Sequence, residues 1–547
     1  METSGITKLQ ILIFIALIIA LCMPLNRSML RGEEPRRAVV SIEMDQSGQY
    51  VVPHLLGWNY YNKPPVFNWA IIGVARLTGS YAPWVIRLPS LLGLLLTSIS
   101  LYYLSRSLLG NQLAILASLF LLTSGDILFF QTLVSGEIDL FFVGLVFLQV
   151  SAIFWGTINQ NAKVLFMVSY SLAAIGVLTK GLPAIAFQGL TLLPWLLISG
   201  HWRLLLRWEH FAGILLFGLI TGGYFGWYAI HADVRPFLVN LIKESSQRSA
   251  LESKGLAIAG NVIYFPIRLI SVLLPWSLLS IYLFSKKTWH YFMDQPLLKF
   301  CIVFISANIP LYWITHETKP RYVLIFIPFI ILLLISAWNL HKKEWVRAGR
   351  VIRVCFSILT FLAPPFILMA PWIFKDAIFP GVKLISALLA ILSGIVARNA
   401  VKNRAALIYL FMLNLVLVRI SYNLCILPSI ESHSNVQKNM NVIEDLFQAT
   451  NGEKFALTGL PVSTQTKVSF GPLGSLDTQM NIPPDISYII PYYHYLKTGE
   501  IMAFEDKMIS HRNYLAFEGQ ALPLEVDTLY RFKEVSTKKN MILVRAK

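Results

Sequence analysis

The chain has 547 residues, of which 56% are hydrophobic and only 14% charged, and its mean hydropathy is +0.61. Soluble proteins carry about 25% charged residues, so a water-soluble globular protein is excluded and a polytopic membrane protein is expected. Of the formal net charge of +17, residues 1–430 carry +18 and residues 431–547 carry −1, and this placement beside apolar runs indicates membrane topology rather than nucleic-acid binding.

Apolar runs of about 20 residues, the length needed to cross a bilayer, recur along the first 430 residues. No small-residue cleavage site follows the first run, so we expect a retained anchor rather than a signal peptide. The fold class predicted is a polytopic α-helical membrane protein with about 13 transmembrane helices. These helices are expected near residues 9–25, 82–104, 112–130, 138–156, 164–179, 182–199, 211–230, 262–284, 299–315, 322–339, 354–374, 383–397 and 405–424.

The lysines and arginines of the connecting loops predict the orientation of these helices. With a cytoplasmic N-terminus, the inner segments carry sixteen of these residues. The outer segments carry five once the two long segments 26–80 and 231–260 are set aside. We therefore expect the N-terminus in the cytoplasm and the region after the thirteenth helix outside it.

The first outer loop, residues 26–80, is far longer than the few residues that most connections need. Pro35 predicts a helix that begins there and continues to about Ser47, with Glu33 at its N-terminus and Arg36 and Arg37 on the next turn. A second short helix is expected from Pro65 to Val74, with Lys63 at its N-terminal end, where an anion is favoured.

This loop brings an acid, guanidinium groups and an ammonium group to the membrane surface. An enzyme that handles a phosphate-linked lipid needs such a set, because cations neutralise the leaving phosphate and a carboxylate orients or activates an incoming hydroxyl. The residues alone leave equal room for a simpler interpretation, in which the cations bind lipid head groups and the acids pair with them.

Further charged residues lie at the predicted helix ends. Glu137 and Asp139 stand at the outer end of the fourth helix, where an interfacial cap is nearly as good an explanation as a function. Arg87, Arg268 and Arg419 lie within apolar runs, where each is either a structural ion-pair partner, the favoured interpretation, or a contact to an anionic substrate.

Two outer turns carry lysine. The turn of residues 316–322 places Lys319 and Arg321 at the lipid boundary, where they suit a polyprenyl phosphate, although a solvated turn is an equal alternative. Thr179-Lys180-Gly181-Leu182-Pro183 has no P-loop context and is interpreted as a topological feature.

Residues 431–547 alternate short apolar strings with polar turns, which predicts a small extracytoplasmic α/β domain on the outer surface. The stretch from Leu529 to Val544, around Thr537-Lys538-Lys539-Asn540, is typical of a β-hairpin. The chain contains no HExxH or GxSxG motif, and its four cysteines have no CxxC spacing.

Several of these segments together resemble the protein O-mannosyltransferase and aminoarabinose-transferase superfamily, glycosyltransferases of the GT-C fold. The similarity covers roughly residues 1–430. Its motifs, in family order, are Glu33-Glu34-Pro35-Arg36, Val51-Val52-Pro53, Tyr60-Tyr61-Asn62-Lys63-Pro64-Pro65, residues 84–90, Asp139 with Phe141-Phe142, Thr179-Lys180-Gly181 with Pro183, and Lys319-Pro320-Arg321-Tyr322 before Pro328.

The resemblance implies transfer of a sugar from a polyprenyl-phosphate carrier with inversion at the anomeric carbon. The family's catalytic acid is usually an aspartate followed by a glutamate. Here Glu33 takes that position with one more methylene, and Glu34 is expected to share the role. The remaining roles that it implies are carrier-phosphate contacts by Arg36 and Lys63, a site wall at Tyr60, a second acid at Asp139, and lipid-phosphate contacts by Lys319 and Arg321.

We therefore expect a bacterial inner-membrane glycosyltransferase that uses an undecaprenyl-phosphate sugar donor. The expected domains are residues 1–430, which hold the transmembrane enzyme, and residues 431–547, which lie in the periplasm. The acceptor is expected to be a lipid A-like lipid, a glycan or a protein on the periplasmic face. Membrane lipids are expected as further partners, and nucleic acid is not expected as one. No cofactor is assigned, and the need for a divalent cation is left open.

Two alternatives remain open. A transporter or flippase of a lipid-linked saccharide would need gating helices and charges at the membrane midplane, whereas the charges here lie at the outer ends. A membrane-anchored scaffold would instead use the C-terminal region as a binding module.

Overall fold

The computed structural model describes residues 2–133, 135–246, 255–315, 319–342, 344–375, 379–459, 462–469, 475–482, 486–535 and 538–547. Its α-helices are α1 (Glu2–Cys22), α2 (Pro24–Arg27), α3 (Glu34–Ser47), α4 (Val66–Thr78), α5 (Pro83–Leu122), α6 (Gly125–Phe129), α7 (Asp139–Ile158), α8 (Ser169–Lys180), α9 (Pro183–Ile198), α10 (Trp208–His231), α11 (Arg235–Ser246), α12 (Gly255–Val272), α13 (Lys286–Asp294), α14 (Pro296–Asn308), α15 (Pro310–Trp313), α16 (Pro320–Val323), α17 (Ile327–His341), α18 (Val346–Ile373), α19 (Val382–Lys402), α20 (Leu407–Ser421), α21 (Leu427–Ser432), α22 (Asn435–Ala449) and α23 (Ile489–Thr498).

The strands are short and lie in the first loop and the C-terminal region. They are β1 (His54–Leu55), β2 (Trp58–Asn59), β3 (Phe455–Thr458), β4 (Val462–Ser469), β5 (Ser475–Ile482), β6 (Phe504–Glu505), β7 (Asn513–Phe517), β8 (Val526–Lys533) and β9 (Asn540–Ala546).

The chain is a polytopic helical membrane protein, as the sequence predicts. Within the described residues, ten helices are long and apolar enough to span a bilayer, and one bent pair raises the number to eleven. All thirteen predicted segments are mostly helical, but three depart from a simple span. The segment 262–284 is bent by 118°, α9 has only 16 residues, and α5 contains two predicted spans in 40 residues.

The long helix α5 is in fact a hairpin of two arms. Gly110 has φ +74° and ψ 164°, which breaks the helix, and the arms then run back along each other. Ser118 Oγ donates to the Ser98 carbonyl at 2.8 Å across the pair. The predicted spans 82–104 and 112–130 correspond to these arms, although the second arm ends at Leu122.

The first arm of α5 crosses α7 at two glycines. A Cβ on Gly93 would lie 2.7 Å from the Phe141 Cα, and one on Gly144 would lie 2.8 Å from the Gly93 carbonyl oxygen. Small residues of this kind allow helices in a membrane to approach closely. The crossing fixes the start of α7, where Asp139 lies.

The first loop folds into the two short helices that the sequence predicts, α3 and α4, with the β1–β2 ribbon between them. Helix α3 ends at Gly48 in a left-handed conformation (φ +71°), the usual termination of a helix by glycine. Helix α4 runs four residues beyond the predicted Val74. Apolar residues of both helices are buried in one cluster.

The C-terminal region forms a mixed sheet with strand order β6-β3-β7-β9-β8. Strand β3 is parallel to β6 and β7, while β9 is antiparallel to β7 and β8. The predicted hairpin is confirmed as the β8–β9 pair, although Thr537 in its turn lies outside the described residues. Strands β4 and β5 form a separate antiparallel pair.

This region packs directly on the first loop. Ile443 of α22 and Ile490 of α23 belong to the same buried cluster as Val39 of α3 and Phe67 of α4. The Tyr492 hydroxyl donates to the Tyr81 carbonyl at 2.9 Å. The loop is therefore held between the helical bundle and the C-terminal sheet.

Candidate active site

A cavity of about 390 Å³ opens where the first loop meets the ends of the spans. Six separate segments of the chain contribute to it. Its lining comprises Glu33, Arg36, Arg37, Tyr60, Asn62, Lys63, Glu137, Ile138, Asp139, Lys180, Glu244, Lys319, Arg321 and Tyr322. We call this the charged cavity. Its six cationic and four acidic side chains leave a surplus of two positive charges, which suits an anionic ligand.

Glu33 and Arg36 form one edge of the charged cavity. Glu33 precedes the first turn of α3, and its carboxylate accepts a hydrogen bond from Arg36 Nη1 at 2.7 Å. The Glu33 side chain is 39% exposed, so this carboxylate stays accessible from the cavity. The Arg36 guanidinium lies 5.0 Å from the ring centroid of Tyr488 in the C-terminal region.

Arg37 lies deeper and is only 3% exposed. Its Nε and Nη1 have no hydrogen-bond partner within the described part of the chain, and its guanidinium lies 5.7 Å from the Tyr60 ring centroid. Two buried guanidinium nitrogens without an acceptor are costly unless a ligand supplies one. Arg37 therefore points to an anion in the cavity.

Tyr60 forms the wall beside these arginines and is buried. Burial raises the pKa of its phenol, against the opposing effect of the Arg37 and Arg36 guanidinium groups. The hydroxyl is therefore protonated at neutral pH and is able to donate a hydrogen bond to a ligand oxygen.

Lys63 reaches the cavity from the end of the first loop and is 8% exposed. Its ammonium pairs with Glu244 of α11, on the second long outer segment. The side-chain amide of Asn240, on the same helix, donates to the Tyr61 carbonyl at 3.0 Å. These two contacts join the two long outer segments, 26–80 and 231–260, which were left out of the count of loop lysines and arginines.

The opposite wall is an ion-pair network at the ends of three spans. Lys180 Nζ lies 2.6 Å from Asp139 Oδ1, and Arg321 pairs with Glu137 while its Nε lies 3.9 Å from Asp139 Oδ2. Burial raises the pKa of Glu137, and the Arg321 charge opposes that shift. Asp139 is thus held between two cations and is already neutralised.

Glu34 does not line the charged cavity, although the sequence assigned it a share of the catalytic role. Its side chain is fully buried and makes a bidentate pair with Arg87, with both contacts at 2.8 Å. It also accepts the backbone N–H groups of Gly136 at 2.7 Å and Arg31 at 3.0 Å. With all these partners, Glu34 anchors the loop and has no access to a substrate.

Arg87 is the structural ion-pair partner that the sequence predicts, since its guanidinium also donates to the Ser28 and Met29 carbonyls. Arg419 is fully buried near Thr132, at 3.4 Å, and is remote from the cavity lining. In the 316–322 turn, Lys319 and Arg321 line the cavity, whereas His316, Glu317 and Thr318 lie outside the described residues.

The structure thus brings together seven of the eight residues that the sequence proposed, all except Glu34. Lys180 and Glu244 line the cavity but were not predicted as site residues, and Glu137 was predicted only as an acid that either functions or caps the helix end. Lys180 was interpreted as topology, although Thr179-Lys180-Gly181 is one of the motifs of the family resemblance and is the signal that could have identified it. Glu244 had no signal, because its partner Lys63 lies 181 positions away.

A second cavity of about 430 Å³ lies beside the first, between the start of α3 and the C-terminal region. Arg36 lines both cavities. The other lining residues are neutral: Gly32, Pro35, Asn435, Val436, Asn439, Ile486, Ser487, Tyr488 and Ile489. We call this the neutral cavity. Amide and hydroxyl groups of this kind suit a ligand with many hydroxyls.

Across the described residues, no group of three or more histidine, cysteine, aspartate or glutamate side chains is arranged to hold a metal ion. The acids of the charged cavity are individually paired with lysine or arginine, as described above.

Comparison with known proteins places these features in context. A family model described as dolichyl-phosphate-mannose-protein mannosyltransferase matches residues 62–223. A Proteus mirabilis undecaprenyl phosphate-alpha-4-amino-4-deoxy-L-arabinose arabinosyl transferase is 27% identical over 354 residues, 62% of this chain and 61% of the relative. An Enterobacter transferase of the same description is 25% identical over 393 residues, 68% of this chain and 67% of the relative. The match thus spans less than two thirds of the Proteus protein's length.

Solved structures show the fold. The crystal structure of ArnT from Cupriavidus metallidurans bound to undecaprenyl phosphate superposes with a TM-score of 0.67 at 18% identity, covering 97% of each chain. The apo structure gives a TM-score of 0.68 at 16% identity, covering 99% of this chain and 98% of that one. The predicted resemblance to the mannosyltransferase and aminoarabinose-transferase superfamily is confirmed, and the fold is that of ArnT.

Proposed function

We propose that this chain is an inner-membrane glycosyltransferase that moves a sugar from an undecaprenyl-phosphate donor to an acceptor on the periplasmic face, with inversion. The observation that carries the proposal is the charged cavity. It combines an accessible carboxylate, Glu33, with a surplus of cations at the lipid boundary, in a fold shared with a protein that binds undecaprenyl phosphate.

The proposed orientation follows the positive-inside rule, with the N-terminus in the cytoplasm and the C-terminal sheet in the periplasm. The charged cavity then lies at the periplasmic ends of the spans. This is the side on which a carrier lipid presents its sugar to an extracytoplasmic acceptor.

In the proposed reaction, Arg37, Lys63 and Arg321 bind the carrier phosphate, and Lys319 lies at the mouth. An acceptor oxygen attacks the anomeric carbon from the side opposite the phosphate. The bond between that carbon and the phosphate oxygen breaks, and undecaprenyl phosphate leaves with the electron pair. The cations stabilise the charge that develops on the departing phosphate, which is the electrostatic contribution expected of such a site.

Glu33 is proposed as the residue that receives or orients the acceptor. If the acceptor group is a hydroxyl, its proton passes to the Glu33 carboxylate as the new bond forms. If the acceptor group is a phosphate, no proton needs to move and Glu33 only positions it. We propose that the acceptor approaches through the neutral cavity, because Gly32 lines that cavity while Glu33 lines the charged one.

The proposal is tested with the purified chain and radiolabelled undecaprenyl phosphate-α-4-amino-4-deoxy-L-arabinose. We expect Glu33→Ala and Lys63→Ala to lower transfer to an acceptor lipid extract at least a hundredfold while both proteins remain folded in the membrane. Glu525→Ala and Lys438→Ala, on the exposed surface of the C-terminal region, are the matched controls. Wild-type turnover in either cavity variant would contradict the site.

The same experiment separates the enzyme from a transporter of a lipid-linked saccharide. An enzyme releases free undecaprenyl phosphate in proportion to the sugar transferred, whereas a transporter leaves the donor intact. The acceptor is then identified by mass spectrometry of lipids and glycans from a deletion strain.

A further inference from the structure

A groove lies at the end of the bundle opposite the charged cavity. The span Pro320–His341 starts beside that cavity at Arg321, and its 22 residues rise about 33 Å to His341. Next to this far end, the first half of α18 faces the end of α19 and the start of α20. The space between them is a cavity of about 800 Å³, which we call the distal groove.

The walls of the distal groove are mostly apolar. Val354, Ile358, Phe361 and Leu362 of α18 are exposed along one side, while Ala400 and Leu407 form a buried floor. The complete lining is Val346, Arg350, Arg353, Val354, Ser357, Ile358, Phe361, Leu362, Ala400, Val401 and Leu407. Because these helices span the membrane, a groove between them is open to the lipid acyl chains.

Arg350 and Arg353 are the charged side chains of the lining. They lie one turn apart, at the end of the groove that is nearest the start of α18. Within the described residues, neither lies within 4 Å of a carboxylate, although several other arginines of the chain do. The surrounding sequence is also basic. Residues 342–353 carry five cations and one acid, and residues 398–404 carry three cations and no acid. The acid, Glu344, is paired with Lys287.

The depth of the groove matches one leaflet. From Arg353 to Leu362 the helix rises about 14 Å, and half of a hydrocarbon core of about 30 Å is about 15 Å. Placing Leu362 at the bilayer centre puts the two guanidinium groups at head-group level, with the apolar wall between them and the centre.

We propose that the distal groove is a binding site for an anionic glycerophospholipid of that leaflet. The phosphate accepts hydrogen bonds from Arg350 and Arg353, and one acyl chain lies along Ile358, Phe361 and Leu362. Charge complementarity decides for an anionic lipid over a zwitterionic one, because basic groups at a bilayer surface favour negative head groups. The site is independent of the donor cavity and does not rest on the proposed glycosyl transfer.

The test is native mass spectrometry of the full chain titrated with phosphatidylglycerol or phosphatidylethanolamine that carry the same acyl chains. We expect the wild type to retain phosphatidylglycerol preferentially. Arg350→Gln with Arg353→Gln should weaken its binding about thirtyfold, equivalent to about 2 kcal/mol. Ser357→Trp keeps both charges but fills the groove, and it should weaken the binding of both lipids.

The matched control is Arg398→Gln with Lys402→Gln, which removes the same charge from residues that do not line the groove. We expect it to change phosphatidylglycerol binding less than threefold. An equal loss in this control would overturn the site in favour of a general surface potential, as would equal retention of the two lipids by the wild type. Displacement of phosphatidylglycerol from the groove by undecaprenyl phosphate would also overturn it.

Discussion

Two neighbouring glutamates, Glu33 and Glu34, have opposite surroundings at the start of one helix. Glu33 faces the charged cavity with a single arginine partner, whereas Glu34 points into the protein and meets Arg87. Sequence alone could not separate them, because both are acids at the same helix end. What separates them is the buried Arg87, whose charge must be compensated inside the protein.

Arg37 and Arg87 allow the same substitution to be compared in a binding role and in a structural role. Arg37→Met should weaken undecaprenyl phosphate binding about thirtyfold, because a charge-assisted hydrogen bond to the phosphate is lost, with little change in thermal stability. Arg87→Met should instead lower the free energy of unfolding by about 3–5 kcal/mol, because Glu34 is left buried without its partner. Lipid-binding titrations and thermal unfolding of the two purified variants measure both effects. Unchanged binding by the Arg37 variant would remove it from the proposed donor site.

At the scale of secondary structure, the close crossing of α5 and α7 positions Asp139. Gly93→Ala would bring a methyl group within 3 Å of the α7 backbone, and we expect it to cost about 1–3 kcal/mol through overpacking. Gly222→Ala in α10 is the control, because an added Cβ there meets no atom within 4 Å. Thermal melts of the two variants compare the sites, and equal melting temperatures would mean that the crossing tolerates separation.

Helix α23 of the C-terminal region carries a buried histidine, His494, which is 2% exposed. Burial lowers its pKa to about 4, with minor effects from Lys454 and Glu500. The unfolded chain, with a pKa near 6.5, therefore binds more protons between pH 6.5 and 4, so stability falls as the pH is lowered through this range, by about 3 kcal/mol.

Hydrogen exchange of α23 as a function of pH measures this effect. We expect protection to decrease from pH 6.5 to 4 in the wild type and to depend less on pH in His494→Gln. A variant with the same pH dependence as the wild type would show that other groups are responsible.

The sequence predicted which segments are helical, but it did not predict which of them cross the membrane as single unbroken helices. The thirteen apolar segments are mostly helical, because apolar runs of this length have few alternatives in a bilayer. The number of candidate spans within the described residues is lower than the thirteen predicted, in part because α9 has only 16 residues and the 262–284 segment is bent. The site was partly predictable, since its residues in the first loop are close in sequence, but the Lys63–Glu244 pair depends on tertiary structure.

At the scale of the whole molecule, the two ends of the bundle carry different cavities in different surroundings. The charged cavity and the C-terminal sheet lie at one end, and the basic distal groove lies at the other. In the proposed orientation, the first end lies in the periplasm and the second lies in the cytoplasm.

Cysteine labelling tests this orientation in a variant from which Cys22, Cys301, Cys355 and Cys425 have been removed. A cysteine introduced at Glu525 should react with a membrane-impermeant maleimide in spheroplasts. One at Lys402 should react only after the membrane is permeabilised. The opposite pattern would place the charged cavity in the cytoplasm and remove the basis of the proposed function.

The contact between Arg36 and Tyr488 has a consequence for biosynthesis. Arg36 is made early, and it receives its aromatic neighbour Tyr488 only after nearly the whole polypeptide has been translated and, in the proposed orientation, its last segment has been exported. A nascent chain paused in the membrane with all its spans inserted would still lack this neighbour. We therefore expect a chain truncated before Tyr488 to insert its spans but to lack this contact at the edge of the charged cavity.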